Sequence, residues 1–187
     1  MEVNMAKSSY PDIIMKRFNT ASDDVQWYFQ QLPKLLQHFH LDICIGYLFS
    51  NIEMAQNWTL YCGIVKLHNG EKTLTWEAIE NQYITRDKFR EFFKVIFGKE
   101  IDSTLVNKVK DAEKIRDKIM HGKTSDNKER KQAIFDIIEY SEKFNAFVQN
   151  IAGFKPFGNL TGFKGRGKPL SKSTTRWILK GMGFGIQ

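Results

Sequence analysis

Apolar side chains recur every three or four residues along most of this chain, and this spacing constrains the fold more than any other feature. The longest unbroken series consists of Leu41, Cys44, Leu48, Ile52, Ala55, Trp58, Cys62 and Val65. Side chains at such a step share one face of an α-helix. The sequence therefore predicts an all-α protein, an antiparallel bundle of about five helices, with a long central helix that ends near Leu67.

One segment allows a second interpretation. Residues 60–76 contain two β-branched runs on either side of Asn69 and Gly70, and this dipeptide is typical of a β-hairpin turn. The same dipeptide also ends helices. We favour the helix, because the periodic pattern continues into this segment without a break.

Other helices are predicted where a capping side chain precedes an apolar series and a glycine follows it. The chain before residue 41 shows helical spacing from Val25 to Phe39, and Pro33 must kink that helix or begin a new one. The later predicted helices are a short one at Trp76–Asn81, Arg86–Phe97 after Thr85 and before Gly98, Asp102–His121 before Gly122, and one from Ser125 or Asp126 to Ile151.

Charge divides the chain into a neutral body and a basic tail. Seven of the 28 Lys and Arg lie in residues 152–187, which contain no Asp or Glu, so the other 21 balance all 21 acidic residues. Glycine is also concentrated there. We therefore predict a frayed segment at residues 1–11, a helical domain at 12–151 and a basic Gly-rich and aromatic tail at 152–187.

The tail suits a polyanion, because cations bind phosphates and aromatic rings can stack on bases. Phe154, Phe157, Phe163 and Trp177 are interleaved with its cations. The residues predicted to contact RNA are Lys123, Lys164, Arg166, Lys168, Lys172 and Arg176. The alternative is a flexible tail that only keeps the protein in solution.

Neither cysteine nor any apolar run points to secretion or to a membrane. Cys44 and Cys62 lie among apolar residues, as inert core thiols usually do. No run of about 18 apolar residues is present, and the N-terminal residues do not form a basic and then apolar leader. We expect a cytoplasmic protein with no membrane partner.

Arg116 is the anomalous residue of the helix predicted at 102–121. On a helical wheel it falls near the middle of the apolar face formed by Leu105, Val109, Ala112, Ile115, Ile119 and Met120. An unpaired guanidinium on a buried face costs several kcal/mol, so Arg116 should meet a carboxylate, a bound anion or a cleft. A salt-bridged core arginine, or an exposed one, is the structural alternative.

His121 ends the same helix, and we expect it to meet Arg116 at one cleft because arginine has a long reach. The stretch KIRDKIMHGK, residues 114–123, resembles the motif of HEPN-domain ribonucleases: an arginine, a polar residue, further positions and a histidine, here Arg116, Asp117 and His121. The motif lies late in an all-helical domain and is followed by another long helix, which adds to the resemblance over residues 25–151.

The resemblance implies a HEPN-like fold and a metal-independent endoribonuclease, with no cofactor, in which two protomers share one cleft. His121 would act as general base or acid, Arg116 would bind the phosphate, and Asp117 would orient one of them. Use of the 2′-OH as nucleophile would restrict cleavage to RNA.

Members of this family commonly act as toxins or in defence against phage, so an antitoxin or regulatory protein is a possible partner. The competing hypotheses are a non-catalytic HEPN-like module that binds RNA, a nucleotide or a partner protein, and an unrelated helical protein that acts through its basic tail.

Overall fold

The computed structural model describes residues 9–160, 162–165 and 167–186, and within these ranges the chain is helical and contains no strand. The all-α prediction is confirmed. The described residues form nine helices rather than about five, because several short helices precede and follow the long ones. They are α1 (Tyr10–Asn19), α2 (Asp23–Tyr28), α3 (Leu32–His38), α4 (Leu41–Leu67), α5 (Lys72–Glu80), α6 (Arg86–Phe97), α7 (Ser103–Met120), α8 (Asn127–Ala152) and α9 (Lys172–Gly181).

Helix α4 is the central element, and α3, α5, α6, α7 and α8 all pack against it. Its first half buries one face, whereas the part from Thr59 to Lys66 is buried on nearly all sides. The hairpin alternative for residues 60–76 is wrong. Asn69 adopts a positive φ of 53°, and the Gly70 N–H donates to the Ile64 carbonyl at 3.2 Å, so this dipeptide ends α4 as the helical interpretation expected.

Helices α7 and α8 form an antiparallel pair in the second half of the chain. Lys118 pairs with Glu129 near their connection, and Lys108 pairs with Glu139 farther along. Asp102 caps α7, and Asp126 caps α8 with the reciprocal bond of a capping box to Glu129. These ends agree with the predicted ones, as do those of α6, which Thr85 caps and Gly98 ends at a φ of 66°.

Helix α1 begins inside the segment predicted to be frayed. Residues 1–8 of the expected frayed segment lie outside the described residues, but Ser9 caps α1 through a capping box with Asp12, so the helix begins at Tyr10. Pro33 occupies the first turn of α3, where its missing N–H costs nothing. Pro33 was expected either to kink a helix or to begin a new one, and in the structure it begins a new one.

The tail begins as part of the core. Phe154, Phe157 and Phe184 are buried, so these rings are not free to stack on bases. The Asn145 side chain on α8 accepts a hydrogen bond from the Phe157 N–H at 2.8 Å and donates to the Phe157 carbonyl at 2.5 Å. Lys66 is buried at the end of α4 and donates to the carbonyls of Gly153 and Gly162.

Both cysteines are free thiols in the core, and we predict that they are unreactive in the folded protein. Burial raises the pKa of Cys44 to about 11 and that of Cys62 to about 12, so almost no thiolate, the nucleophilic form, exists at pH 8. A disulfide-based thiol reagent should label neither residue in buffer and both in denaturant. Fast labelling of the native protein would contradict this prediction.

None of the helices in the described part of the chain combines the length and the apolar character needed to cross a bilayer.

Candidate functional site

Arg116 is held by carboxylates at the edge of the core. Its side chain is 25% exposed, so the guanidinium is only partly buried. The Asp117 carboxylate accepts hydrogen bonds from Arg116 Nε at 3.0 Å and from its terminal nitrogen at 2.7 Å. Glu113 and Glu53 lie at 3.5 and 3.7 Å. The predicted carboxylate partner is thus present, and Asp117 orients Arg116.

A second arginine, which the sequence analysis did not identify, shares this site. The guanidinium carbons of Arg86 and Arg116 lie 5.1 and 5.0 Å from the centre of the Phe49 ring. Arg86 is also paired with Glu113 and lies 3.9 Å from Glu53. Burial and the positive charge of Arg116 lower the pKa of Arg86. The two cations thus share one ring and two carboxylates.

These groups line a cleft of about 600 Å³ between α4, α7 and the segment that leads into α6. Its wall is polar, with amides, hydroxyls, four cationic side chains and three carboxylates, and Tyr83 lies at the cleft with its side chain 90% exposed. Arg86 Nε is buried there and has no acceptor among the described residues.

His121 caps the C-terminal end of α7 and is exposed. Its backbone N–H donates to the Asp117 carbonyl at 3.0 Å, whereas its imidazole makes no hydrogen bond or ion pair with a described residue. The cleft that Arg116 lines does not include His121. The shared pocket expected from the sequence is therefore not formed there by one chain, because the helix places the two residues on different sides of its last turn.

Exposed apolar side chains occur at the end of α7 and around the start of α4. Met120, predicted to belong to the buried face of α7, is 73% exposed. Phe39 and Ile43, around the start of α4, are also exposed, and the Asp42–Arg130 ion pair at 2.7 Å holds that start against α8. The end of α7 therefore presents apolar surface next to His121.

The predicted RNA-binding residues fall into two groups. Lys123 is exposed in the turn after His121, whereas Lys164, Lys168, Lys172 and Arg176 are exposed on the tail; Arg166 lies outside the described residues. The tail is fixed near the far end of α4, where the Leu170 N–H donates to the Asn69 carbonyl at 2.9 Å. That point is roughly 24 Å along α4 from Glu53, the partner of Arg116, at about 1.5 Å per residue.

Besides Asp117, only one of the residues around Arg116 is indicated by the sequence. Glu113 stands three residues before Arg116 on one helix, and this spacing by itself indicates a pair. Arg86, Glu53 and Phe49 come from other helices, and only the packing of α4 and α6 brings them to the site. No three His, Cys, Asp or Glu side chains of the described ranges are grouped as metal ligands would be.

The chain matches no protein-family model, no curated protein and no solved structure.

Proposed function

We propose that this protein is a metal-independent endoribonuclease with a HEPN-like fold that acts on RNA as a homodimer. The observation that carries the proposal is the arrangement on α7. Arg116 is oriented by Asp117 at the wall of a polar cleft, and His121 ends the same helix with a solvent-exposed imidazole that has no structural partner among the described residues. A histidine without structural bonds is free to exchange protons with a substrate.

The reaction uses only groups of the protein and of the RNA. The His121 imidazole removes the proton from a ribose 2′-OH, and the 2′-oxygen attacks the adjacent phosphorus while the bond to the 5′-oxygen breaks. A second imidazole, protonated, gives its proton to the leaving 5′-oxygen. The Arg116 guanidinium stabilises the charge that grows on the phosphate oxygens. The products are a 2′,3′-cyclic phosphate and a 5′-hydroxyl.

Two protomers supply the two imidazoles and bring Arg116 together with His121. The support for a dimer is exposed apolar surface, at Met120 directly before His121 and at Ile43 and Phe39 around the start of α4. An isologous contact through this surface buries the same patch of both protomers and places both motifs around one two-fold axis. The composite cleft then contains two arginines and two histidines.

The helical order supports the HEPN-like assignment. The motif occupies the last turns of α7, a short turn containing Gly122 follows, and α8 returns antiparallel to α7 against the central α4. The resemblance of residues 114–123 to the HEPN motif also suggests a cellular role. We propose that the protein is an intracellular toxin or phage-defence effector and that an antitoxin or another regulatory protein inhibits it.

One observation favours a second candidate, a non-catalytic module of the same fold that binds RNA, a nucleotide or a partner protein. Three carboxylates, Glu53, Glu113 and Asp117, surround Arg116 and neutralise it in the free protein. A purely structural arginine has such an environment. In the catalytic proposal the substrate phosphate takes the place of Glu53 and Glu113, whose contacts at 3.7 and 3.5 Å are longer than strong ion pairs.

The test is cleavage of labelled single-stranded RNA by the purified full chain in the presence of EDTA. We expect fragments that end in 2′,3′-cyclic phosphate, and no cleavage of the same oligonucleotide with 2′-deoxyribose throughout, because the nucleophile is then missing. Cleavage that stops in EDTA, or that proceeds equally on the deoxy oligonucleotide, would reject the mechanism. RNA binding without any cleavage would favour the non-catalytic module.

A further inference from the structure

Helix α9 presents one face to the protein and a different one to water. Thr175 and Leu179 are buried against the body of the protein, where the Glu71 N–H donates to Thr175 Oγ1 at 3.0 Å. The adjoining arc of about 140° on the helical wheel faces water. We call it the α9 outer face, and it consists of Lys172, Ser173, Arg176, Trp177 and Lys180, all exposed.

The charges of the α9 outer face have one sign. Lys172, Arg176 and Lys180 follow each other at four-residue steps, so they lie about 6 Å apart along the helix. Arg176 and Lys180 make no side-chain hydrogen bond or ion pair with any residue that the structure describes, and Lys172 has only the nearby charge of Glu71. Like charges at this spacing destabilise a helix. A row of repelling cations is stabilised when an anionic ligand binds to it.

Trp177 adds an aromatic ring to this row. Its side chain is 77% exposed and packs against no other aromatic ring of the described residues. An exposed indole beside cations is the combination that binds single-stranded nucleic acid, because the ring stacks on a base of any kind while the cations bind the phosphates. Three cations in line with one ring therefore fit a strand whose bases are unpaired.

A membrane surface fits this face less well. Helices that lie on a bilayer insert a broad apolar face. The apolar face of α9 is already buried against the protein, and the outer face has a single apolar side chain, Trp177. The observations therefore favour a nucleic acid.

The surface between α9 and the cleft at Arg116 is continuous. Arg176 and Gly185 line a cavity of about 430 Å³ together with Asn81 and the acidic Glu77, and the Gly185 N–H donates to Gln82 Oε1 at 3.4 Å. Gln82 and Tyr83 then line the cleft itself. Tyr83, 90% exposed, is a second free ring on this route.

We propose that the α9 outer face binds single-stranded RNA, with Trp177 stacked on a base and Arg176 and Lys180 on phosphates, and that the strand continues past Tyr83 into the cleft. This inference rests on the proposed function for the identity of the strand and deepens it by naming the substrate as single-stranded RNA held outside the cleft. Binding at α9 needs no chemistry, so it is testable apart from cleavage.

The experiment measures binding of the full chain to a fluorescein-labelled 2′-O-methyl oligouridine, which has no free 2′-OH and is not cleaved. We expect Trp177→Ala to weaken binding roughly 5- to 100-fold, the range of one lost stacking contact. Trp27→Ala is the matched control, since Trp27 is a half-exposed indole on α2 and its loss should leave affinity unchanged.

The salt dependence tests the cations separately. Arg176→Ala with Lys180→Ala should reduce the slope of log affinity against log salt by about 1.4, because each phosphate contact on a single strand contributes about 0.7. Lys34→Ala with Lys128→Ala, two exposed lysines elsewhere, is the control pair and should leave the slope unchanged.

The outcomes separate this inference from the proposed function. Unchanged affinity of the Trp177→Ala variant overturns the inference, even if the protein cleaves RNA. Binding that depends on Trp177 supports it, even if no RNA is ever cleaved. Binding to anionic phosphatidylserine vesicles, lost in the Trp177→Ala variant, together with no binding of the oligouridine, overturns it in favour of a membrane.

Discussion

Replacing His121 by alanine is expected to lower the rate of RNA cleavage by about 10²- to 10⁴-fold, the usual contribution of a positioned general acid or base. The imidazole is exposed and makes no hydrogen bond or ion pair with a described residue, so the free energy of unfolding should change by no more than about 0.5 kcal/mol. Initial rates on labelled RNA in EDTA, together with denaturant unfolding of the same preparations, measure both quantities.

The matched control is His38→Ala. His38 is also an exposed histidine, in the last turn of a helix, but lies on α3 outside the motif, so its loss should leave the rate unchanged. Arg116→Lys is the companion variant, because it keeps the charge beside Asp117 and Phe49 and loses the planar fork that binds a phosphate. Equal cleavage by the wild-type, His121→Ala and Arg116→Lys proteins would reject the assignment of this site.

Mixing the wild-type protein with the His121→Ala variant tests whether two protomers share one cleft. A mixed dimer contains one His121 imidazole, so it lacks either the general base or the general acid and should not cleave RNA. The cleavage rate of a fixed amount of wild-type protein should therefore fall as excess variant is added and subunits exchange. A rate that stays constant, in a preparation that light scattering shows to be dimeric, would mean that each chain works with its own imidazole.

The second large effect is expected at Asn145, which no functional argument involves. Asn145→Ala should lower the free energy of unfolding by about 2–5 kcal/mol, because the buried N–H and carbonyl of Phe157 each lose their hydrogen-bond partner. The midpoint of urea unfolding, followed by circular dichroism, measures the change.

Asn150→Ala provides the comparison for this stability effect. Asn150 is exposed on the same helix, so its replacement removes the same amide without uncovering a buried backbone group. Its effect should stay within about 0.5 kcal/mol. A loss of similar size in both variants would show that the amide of Asn145 does not hold the tail.

The helices that the sequence predicted well are those whose ends are fixed by local chemistry. Thr85 and Gly98 delimit α6, and Asp102 and Gly122 delimit α7, because a capping hydroxyl or carboxylate and a glycine at positive φ act within one turn of the chain. The ends of these helices can therefore be predicted from the sequence without knowledge of how the helices pack. The same holds for α4, where Asn69 and Gly70 stop the helix.

The burial of side chains was less predictable, because it depends on which surfaces meet. Met120 continues the apolar stripe of α7 in sequence but extends beyond the helices that cover Leu105 and Val109, so it is exposed. Phe154 and Phe157 lie in irregular segments without any period, and their burial against α8 left no local pattern. The charge and the glycine content of residues 152–187 predict a tail, and neither property indicates that these rings are buried.

In the candidate site, too, local relations are predictable from the sequence and long-range contacts are not. Arg116, Asp117 and Glu113 are close in the sequence and could be related by helical spacing. Arg86 reaches them only because α6 packs on α4 beside Phe49. Partners separated by tens of residues are fixed by tertiary contacts, which helical periodicity does not specify.

Because Asn145 and Lys66 bind the backbone beyond Ala152, and Phe154, Phe157 and Phe184 fill space between the helices, the last part of the chain belongs to the same cooperative unit as α4 and α8. Deleting it would leave holes and orphaned amides in the interior. A shortened protein that no longer held RNA would thus report a folding defect, and surface substitutions such as those on α9 are the sound way to dissect this molecule.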